Sequence, residues 1–213
     1  MQPESLAARF LDALFPQNAA CFACNREAFT DARGLCAPCA AQVRFAGVLP
    51  PPEGIDGLCA GFVYGEALHA AMHRFKYGGA KYLALPFSAS IRLPADWAAD
   101  ALLPVPLSPG REKDRGYNQS ELLARVLSES AGLPAERGLL ARIKNTPPQA
   151  GQNKALRERN VRGAFHAGPL AAGRAFVLVD DVVTTGSTLS ACAAALRAAG
   201  ASRVYAACAC AAL

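Results

Sequence analysis

One stretch near the C-terminus constrains the fold of this chain more than any other. The apolar run Ala175–Val179 leads directly into two adjacent acids, Asp180 and Asp181. A short apolar run bounded by polar turn residues predicts a buried strand of a parallel sheet. A helix is predicted to follow over Leu189–Ala199. We therefore expect an α/β fold whose ligand lies at the carboxyl end of this strand.

The residues between the strand and the helix predict the chemistry of that ligand. Thr184, Thr185, Gly186, Ser187 and Thr188 bring small hydroxyls and a glycine to the N–H groups of a starting helix, a combination that suits a phosphate monoester. The two carboxylates suit a sugar diol or a divalent cation. The alternative is a merely polar turn, although two adjacent acids are costly to keep there without a ligand.

A family resemblance rests on these residues. The segment Val179–Thr188 resembles the phosphoribosyl-pyrophosphate (PRPP) motif of type I phosphoribosyltransferases. The resemblance implies that Thr184–Thr188 hold the 5′-phosphate. It also implies that Asp180 and Asp181 bind the ribose 2′- and 3′-hydroxyls, directly or through Mg²⁺.

The excess positive charge of the chain is local. The net charge is +5, from 22 basic and 17 acidic residues, while Arg137–Arg162 alone holds seven bases and one acid. A local basic segment indicates an anionic ligand at one place. By resemblance, this segment is a lid that closes over PRPP, with Lys144, Lys154, Arg157 and Arg159 stabilising the departing pyrophosphate. The alternative is a solvated helix with exposed bases.

A second strand–loop–helix unit is predicted upstream. It comprises a strand from Ala101, a basic loop over Arg111–Gly116 and a helix over Ser120–Ala131. In the resembled enzymes the corresponding loop contacts pyrophosphate, which implies that role for Arg111, Lys113, Arg115 and Gly116. The alternative is a solvated turn, because acids alternate with the bases.

Four cysteines near the N-terminus are patterned as two C-x-x-C pairs, Cys21/Cys24 and Cys36/Cys39. Four thiolates can complete a closed, structural zinc site. Two disulfides or a redox pair are the alternatives. Disulfides are disfavoured for a chain that we predict to be cytoplasmic, and a redox pair is disfavoured because no βαβ unit lies beside these cysteines. The other four cysteines are predicted to be core residues.

The remaining pattern sets the organisation. An amphipathic helix is predicted within Met1–Phe15, and no apolar run is long enough to span a membrane. A strand over Leu58–Tyr64 and helices over Glu66–Phe75 and Lys81–Leu93 are also expected. His69 and His73 are predicted to be exposed or packed rather than metal-binding. We place an N-terminal helix and zinc module in residues 1–46 and a phosphoribosyltransferase-like domain in residues 47–213.

The order of the motifs narrows the resemblance. The four cysteines, Phe75-Lys76-Tyr77, Arg115-Gly116-Tyr117-Asn118-Gln119 and the Asp-Asp motif occur in sequence. This arrangement resembles the ComF family of competence-associated, phosphoribosyltransferase-like bacterial proteins. The resemblance implies a type I phosphoribosyltransferase-like (Rossmann-like) parallel sheet with helices on both faces and an N-terminal zinc finger.

The implied function concerns natural transformation, the uptake and handling of DNA. The enzyme hypothesis is phosphoribosyl transfer from PRPP with Mg²⁺. The rival is a non-catalytic accessory protein that binds a nucleotide or single-stranded DNA. A helicase-like protein or another DNA-uptake protein is the implied partner, and the family resemblance alone carries this association.

Overall fold

A five-stranded sheet organises the chain, which is described by a computed structural model over residues 20–144 and 163–213. Across the sheet the strands are β1 (Phe45–Leu49), β2 (Gly57–Val63), β7 (Arg203–Ala211), β6 (Ala175–Val183) and β3 (Ala101–Pro104). All neighbouring strands are parallel except β1, which pairs antiparallel with β2. A separate antiparallel pair consists of β4 (Leu140–Arg142) and β5 (Phe165–Ala167).

Six α-helices are found among the described residues. They are α1 (Ala37–Gln42), α2 (Glu66–Tyr77), α3 (Ala84–Ala89), α4 (Pro109–Arg115), α5 (Gln119–Ala131) and α6 (Ser187–Ala198), with short 3₁₀ turns at Lys81–Leu83 and Pro169–Ala171.

The sheet is buried on both faces, as the continuous apolar strands predict. One face, with Phe62 and Val177, packs against α2, α3, α5 and the cysteine module. The opposite face, with Leu178 and Cys208, packs against α6 and the β4–β5 pair. This arrangement confirms the predicted α/β class with a parallel sheet and helices on both faces.

Strand β6 is longer than the apolar run that predicted it. It continues through Asp180 and Asp181 to Val183, because its pairing with β7 extends to Val183 opposite Ala211. The two acids therefore lie within the strand rather than after it. Successive side chains on a strand point to opposite sides, so the two carboxylates enter different surroundings.

Two predicted segments differ from the structure. The basic stretch predicted as a loop is the helix α4, with Pro109 in its first turn and Gly116 ending it at φ +74°, the usual signals for helix start and stop. The helix predicted over Lys81–Leu93 is a 3₁₀ turn followed by α3, which ends at Ala89.

Several sequence predictions lie wholly or partly outside the described residues. They are the N-terminal helix and, in the basic segment, Lys154, Arg157 and Arg159. The predicted boundary between residues 46 and 47 falls inside β1, and the division into two domains stays a prediction. None of the helices described is both long and apolar enough to cross a membrane.

Candidate functional site

The two carboxylates of β6 are held by different partners. Asp180 Oδ1 accepts a hydrogen bond from Ser120 Oγ at 3.0 Å and one from the backbone N–H of Asp181 at 2.8 Å. Asp181 Oδ1 instead forms an ion pair with Lys76 Nζ at 2.9 Å. Two elements distant in sequence, the first turn of α5 and the last turn of α2, therefore meet at this end of β6.

The surroundings separate the two acids electrostatically. Burial and then the negative charge of Asp181 raise the pKa of Asp180 to about 7, against the hydrogen bonds from the Asp181 N–H and Ser120, which lower it. Burial alone would lower the pKa of Lys76, but the charge and hydrogen bond of Asp181 outweigh burial and raise it. Near neutral pH the site thus holds the Lys76–Asp181 ion pair beside the Asp180 carboxyl group, which is close to titrating.

Residues 115–119 hold the last turn of α2, which carries Lys76 to Asp181. The Tyr117 hydroxyl donates to the backbone carbonyl of Phe75. Gln119 Nε2 lies 3.4 Å from the carbonyls of both Phe75 and Lys76. These contacts fasten the C-terminal turn of α2, whose last carbonyls lack partners within the helix. Two motifs far apart in sequence are therefore a single structural unit.

Asn118 positions Ser120, the side chain that donates a hydrogen bond to Asp180. Its Oδ1 accepts from the backbone N–H of Ser120 at 3.0 Å, and its Nδ2 donates to the carbonyl of Val105 at 3.1 Å. The first contact is an N-cap, and the second ties the cap to the segment after β3. Asn118 therefore begins α5 in the position that directs Ser120 toward Asp180.

The loop after β6 has the geometry of an anion cradle. Gly186, at φ +75°, precedes α6, and the hydroxyls of Thr185 and Ser187 lie 2.7 Å apart. The first N–H groups of a helix have no partner within it, and the helix dipole favours an anion at this end. Thr184 and Thr188 flank the cradle, the former exposed and the latter half-buried.

The proline loop between β1 and β2 packs against this cradle. A Cβ atom placed on Gly186 would lie 2.5 Å from Pro52 Cβ, which is too close for any side chain. Glycine is therefore required here both for its backbone conformation and for this contact. A pocket of about 190 Å³ lies between the loop and the cradle, lined in part by Pro50–Pro52 and Thr184–Gly186.

Arginines from separate elements converge on the acids. The pKa of Arg111 is lowered by burial and then by the charge of Arg115, while that of Arg142 is lowered by burial and then by Arg111. Asp181 acts on Arg111 and Asp180 on Arg142 in the opposite direction. Arg115 donates to Gln119 at 2.9 Å and to the Tyr77 hydroxyl at 3.2 Å. Positive charge thus surrounds the carboxylates.

The predicted site residues are not all brought together. The charge of Asp181 acts on Arg111, and Arg115 contacts Gln119 and Tyr77. Lys113, Gly116 and Lys144 are exposed, and no described contact joins these three to the acids. Lys76 and Ser120 were missed as site residues. The order of the motifs around Phe75-Lys76-Tyr77 and residues 115–119 was the available signal, but it did not indicate that these motifs touch Asp180 and Asp181.

The four patterned cysteines form one cluster, as their spacing predicts. The sulfur atoms of Cys21, Cys24, Cys36 and Cys39 all lie within 4.8 Å of one another, and none is in a disulfide. Cys24 Sγ and Cys36 Sγ are 3.8 Å apart, the separation expected across a tetrahedral site with Zn–S bonds of ~2.3 Å. Four sulfurs fill such a site, so a bound zinc would be structural.

The backbone favours a thiolate at Cys21, whereas burial and the sulfurs of the other three cysteines raise the pKa of Cys39. Burial alone would raise the pKa of Cys21, but backbone N–H groups of Cys24, Cys36 and Ala23 lower it to about 7. The other cysteines, Cys59, Cys192, Cys208 and Cys210, are buried core residues as predicted. His69 and His73 are exposed.

Comparisons with known proteins agree with this geometry. The family model for the phosphoribosyl transferase domain matches residues 103–213. The DNA utilization protein YhgH of Escherichia coli K12 is 31% identical over 203 residues, which cover 89% of either chain. Competence protein F of Haemophilus influenzae is 40% identical over 97 residues, 43% of this chain and 41% of that one.

A further relative comes from Bacillus subtilis. Its competence protein ComFC is 29% identical over 132 residues, 60% of this chain and 52% of that one. The parallel sheet, the cysteine cluster and these relatives together show that the chain belongs to the ComF family of competence-associated proteins with a phosphoribosyltransferase domain.

Proposed function

We propose that this protein binds PRPP or a nucleotide 5′-phosphate at the end of β6 and acts in DNA uptake during natural transformation. The observation that carries the proposal is the continuity of the carboxylate pair with the anion cradle. Three residues separate Asp181 from Thr185, whose hydroxyl lies 2.7 Å from that of Ser187 at the start of α6. A ribose 5-phosphate has its diol and its phosphate at the two ends of one small sugar.

Each part of the ligand has a matching group. The 5′-phosphate would accept hydrogen bonds from Thr185, Ser187 and the first N–H groups of α6. The ribose hydroxyls would donate to the free lone pairs of Asp180 and Asp181. A pyrophosphate at C1′ would face the guanidinium groups of Arg111 and Arg142. A guanidinium group is planar and can donate two parallel hydrogen bonds to a phosphate.

The reaction that this arrangement would support is phosphoribosyl transfer. Pyrophosphate leaves C1′ through a cationic, oxocarbenium-like state, and the acceptor attacks the same carbon. Such chemistry asks the protein for positioning and charge stabilisation rather than for a covalent nucleophile. Mg²⁺, if it accompanied PRPP, would supply charge neutralisation for the leaving pyrophosphate. The basic residues Lys144, Lys154, Arg157 and Arg159 are proposed to cover the departing group.

A non-catalytic accessory protein is the second candidate. The seven bases of Arg137–Arg162 favour it, because such a segment can contact the phosphates of single-stranded DNA as well as a pyrophosphate. The cytoplasmic location is also part of the proposal. It is supported by the eight cysteines, none of which is in a disulfide, since disulfides are rare in reducing compartments.

Binding measurements with paired variants test the proposal. Thr185→Val together with Ser187→Ala should weaken binding of PRPP and AMP by about tenfold or more, because hydrogen bonds to charged groups contribute ~1.5–3 kcal/mol each. Ser190→Ala, three residues further along α6, is the matched control. Gly186 is unsuitable for this test, since any side chain there would also displace Pro52.

Calorimetry with PRPP, AMP and a short single-stranded DNA separates the two candidates. The proposed function requires that PRPP or AMP bind and that the double variant lose this binding while Ser190→Ala retains it. Equal affinity in the wild type and the double variant would contradict the proposal that the cradle binds the 5′-phosphate. Release of pyrophosphate from PRPP in the presence of nucleobases would distinguish transfer from binding alone.

A further inference from the structure

The ion pair between Lys76 and Asp181 is largely shielded from solvent. The two side chains are only 22% and 14% exposed, so water screens their attraction weakly. A surface ion pair contributes little and rearranges readily, whereas a desolvated pair is costly to break. Lys76 is therefore a fixed part of the carboxylate site.

The protein holds Lys76 in place from two directions. Tyr117 and Gln119 fasten the carbonyls of the last turn of α2. Two residues before Lys76, the Arg74 guanidinium donates to the Phe22 carbonyl at 2.6 Å, inside the first C-x-x-C pair. The turn that carries Lys76 is thus tied to the cysteine module on one side and to α5 on the other.

Each of the two carboxylates has a partner within the protein. Asp180 Oδ1 accepts from Ser120 and from the N–H of Asp181, and Asp181 Oδ1 is paired with the Lys76 ammonium. A divalent cation binds hard anionic oxygens and neutralises them. Here one carboxylate is already neutralised by a side chain of the protein, and the residues present do not fit a resident Mg²⁺ on the pair.

We propose that Lys76 is the resident counter-ion of Asp181: it excludes a divalent cation from the Asp180–Asp181 pair in the ligand-free protein and positions Asp181 for the ribose hydroxyls. The second half rests on the proposed function, and the first half does not. A metal ion that accompanies PRPP would then depend on oxygens of the ligand rather than on the carboxylate pair. Lys76 is a positioning residue rather than a catalytic one.

Binding of Mn²⁺ alone, followed by electron paramagnetic resonance at pH 8, tests the first half. Mn²⁺ prefers oxygen ligands, so the cysteine cluster does not compete for it. Lys76→Met should bind one Mn²⁺ per chain at least about tenfold more tightly than the wild type, because removal of a cation a few ångströms away exposes two negative charges. Adding Asp181→Asn should abolish the gained site.

Two further variants control for charge and folding. Lys81→Met makes the same chemical change in an exposed lysine near α2 and should leave Mn²⁺ binding as in the wild type. Lys76→Arg keeps the positive charge and should also show no gain. Thermal melting establishes that each variant is folded. If Lys76→Met does not fold, Lys76→Gln takes its place. The wild-type protein is then compared with Lys76→Gln, and equally tight Mn²⁺ binding by the two would overturn the inference.

Each outcome supports or overturns the inference. A wild-type protein that binds one Mn²⁺ as tightly as Lys76→Met would overturn it, and so would a folded Lys76→Met that gains nothing. No phosphoribosyl ligand enters this experiment. Failure of PRPP and AMP to bind would therefore refute the proposed function, while a negative Mn²⁺ result would refute the role of Lys76.

Discussion

The raised pKa of Asp180 predicts that replacing this acid will stabilise the protein. Asp180→Asn removes the charge and keeps an Oδ1 atom to accept from Ser120 and from the N–H of Asp181. The gain should be large at alkaline pH and small at acidic pH. The reason is that burial of Asp180 destabilises the folded protein only at pH values at which this group is ionised in the unfolded chain.

The size of the effect follows from the pKa. Moving it from 3.8 to about 7 corresponds to ~4 kcal/mol, at ~1.4 kcal/mol for each pH unit. The sign is that of an acid whose folded pKa is raised: the folded state binds the proton more tightly, so this group lowers stability as pH rises. The penalty is complete above pH ~7, falls to under ~2 kcal/mol near pH 5, and vanishes below the unfolded value.

The assay is thermal or urea unfolding of both proteins at pH 5 and pH 8. At pH 8 the variant should melt higher by on the order of 10 °C, since each kcal/mol moves the midpoint of a chain of this size by ~2–4 °C. The difference between the proteins should shrink by more than half at pH 5. The comparison between pH values is decisive, because any constant cost of the new amide cancels.

Asp181→Asn is the matched control at the neighbouring position. It leaves the largely buried Lys76 ammonium without its carboxylate partner, so it should destabilise the protein at pH 8 by ~3 kcal/mol, the lower end for a buried pair. Opposite signs at two adjacent acids would be hard to obtain from a general loss of negative charge. A difference between wild type and Asp180→Asn that does not change with pH would refute the reasoning.

Three other predictions concern the cysteine module and the basic segment. Protein purified without added metal should contain one zinc per chain by elemental analysis and lose it in Cys36→Ser, whereas a metal-free, fully folded wild type would contradict a structural zinc. Arg74→Ala should lower the free energy of unfolding by ~1–3 kcal/mol, because it removes charged hydrogen bonds to the Phe22 and Ala23 carbonyls. Its control is Arg33→Ala, which breaks a largely exposed ion pair and should lower the free energy of unfolding by less than ~1 kcal/mol. Changing Lys154, Arg157 and Arg159 together to alanine should weaken PRPP binding more than AMP binding in calorimetry. Equal weakening would indicate general electrostatic steering, and loss of DNA binding alone would indicate a nucleic-acid surface.

Local pattern was sufficient for the elements that lie next to each other in sequence. The apolar run of β6, the small residues before α6 and the paired cysteines each carry their own signal, because a buried strand, a helix start and a metal knuckle are built from neighbouring residues. The helical form of residues 109–115 was signalled too, by Pro109 and Gly116. It was mistaken for a loop because its alternating charges show no apolar face.

Contacts between distant elements could not be predicted in this way. Ser120 meets Asp180 across 60 residues, and Lys76 reaches Asp181 from a different helix. Neither contact leaves a periodic trace in the sequence, since a single polar residue on a helix is compatible with exposure or with burial. The sequence by itself determined which groups were available to bind the phosphoribosyl ligand that we propose. Only the tertiary structure decided that Lys76 neutralises one acid while the other is left close to titrating, because burial and charge proximity depend on how the helices pack over the sheet.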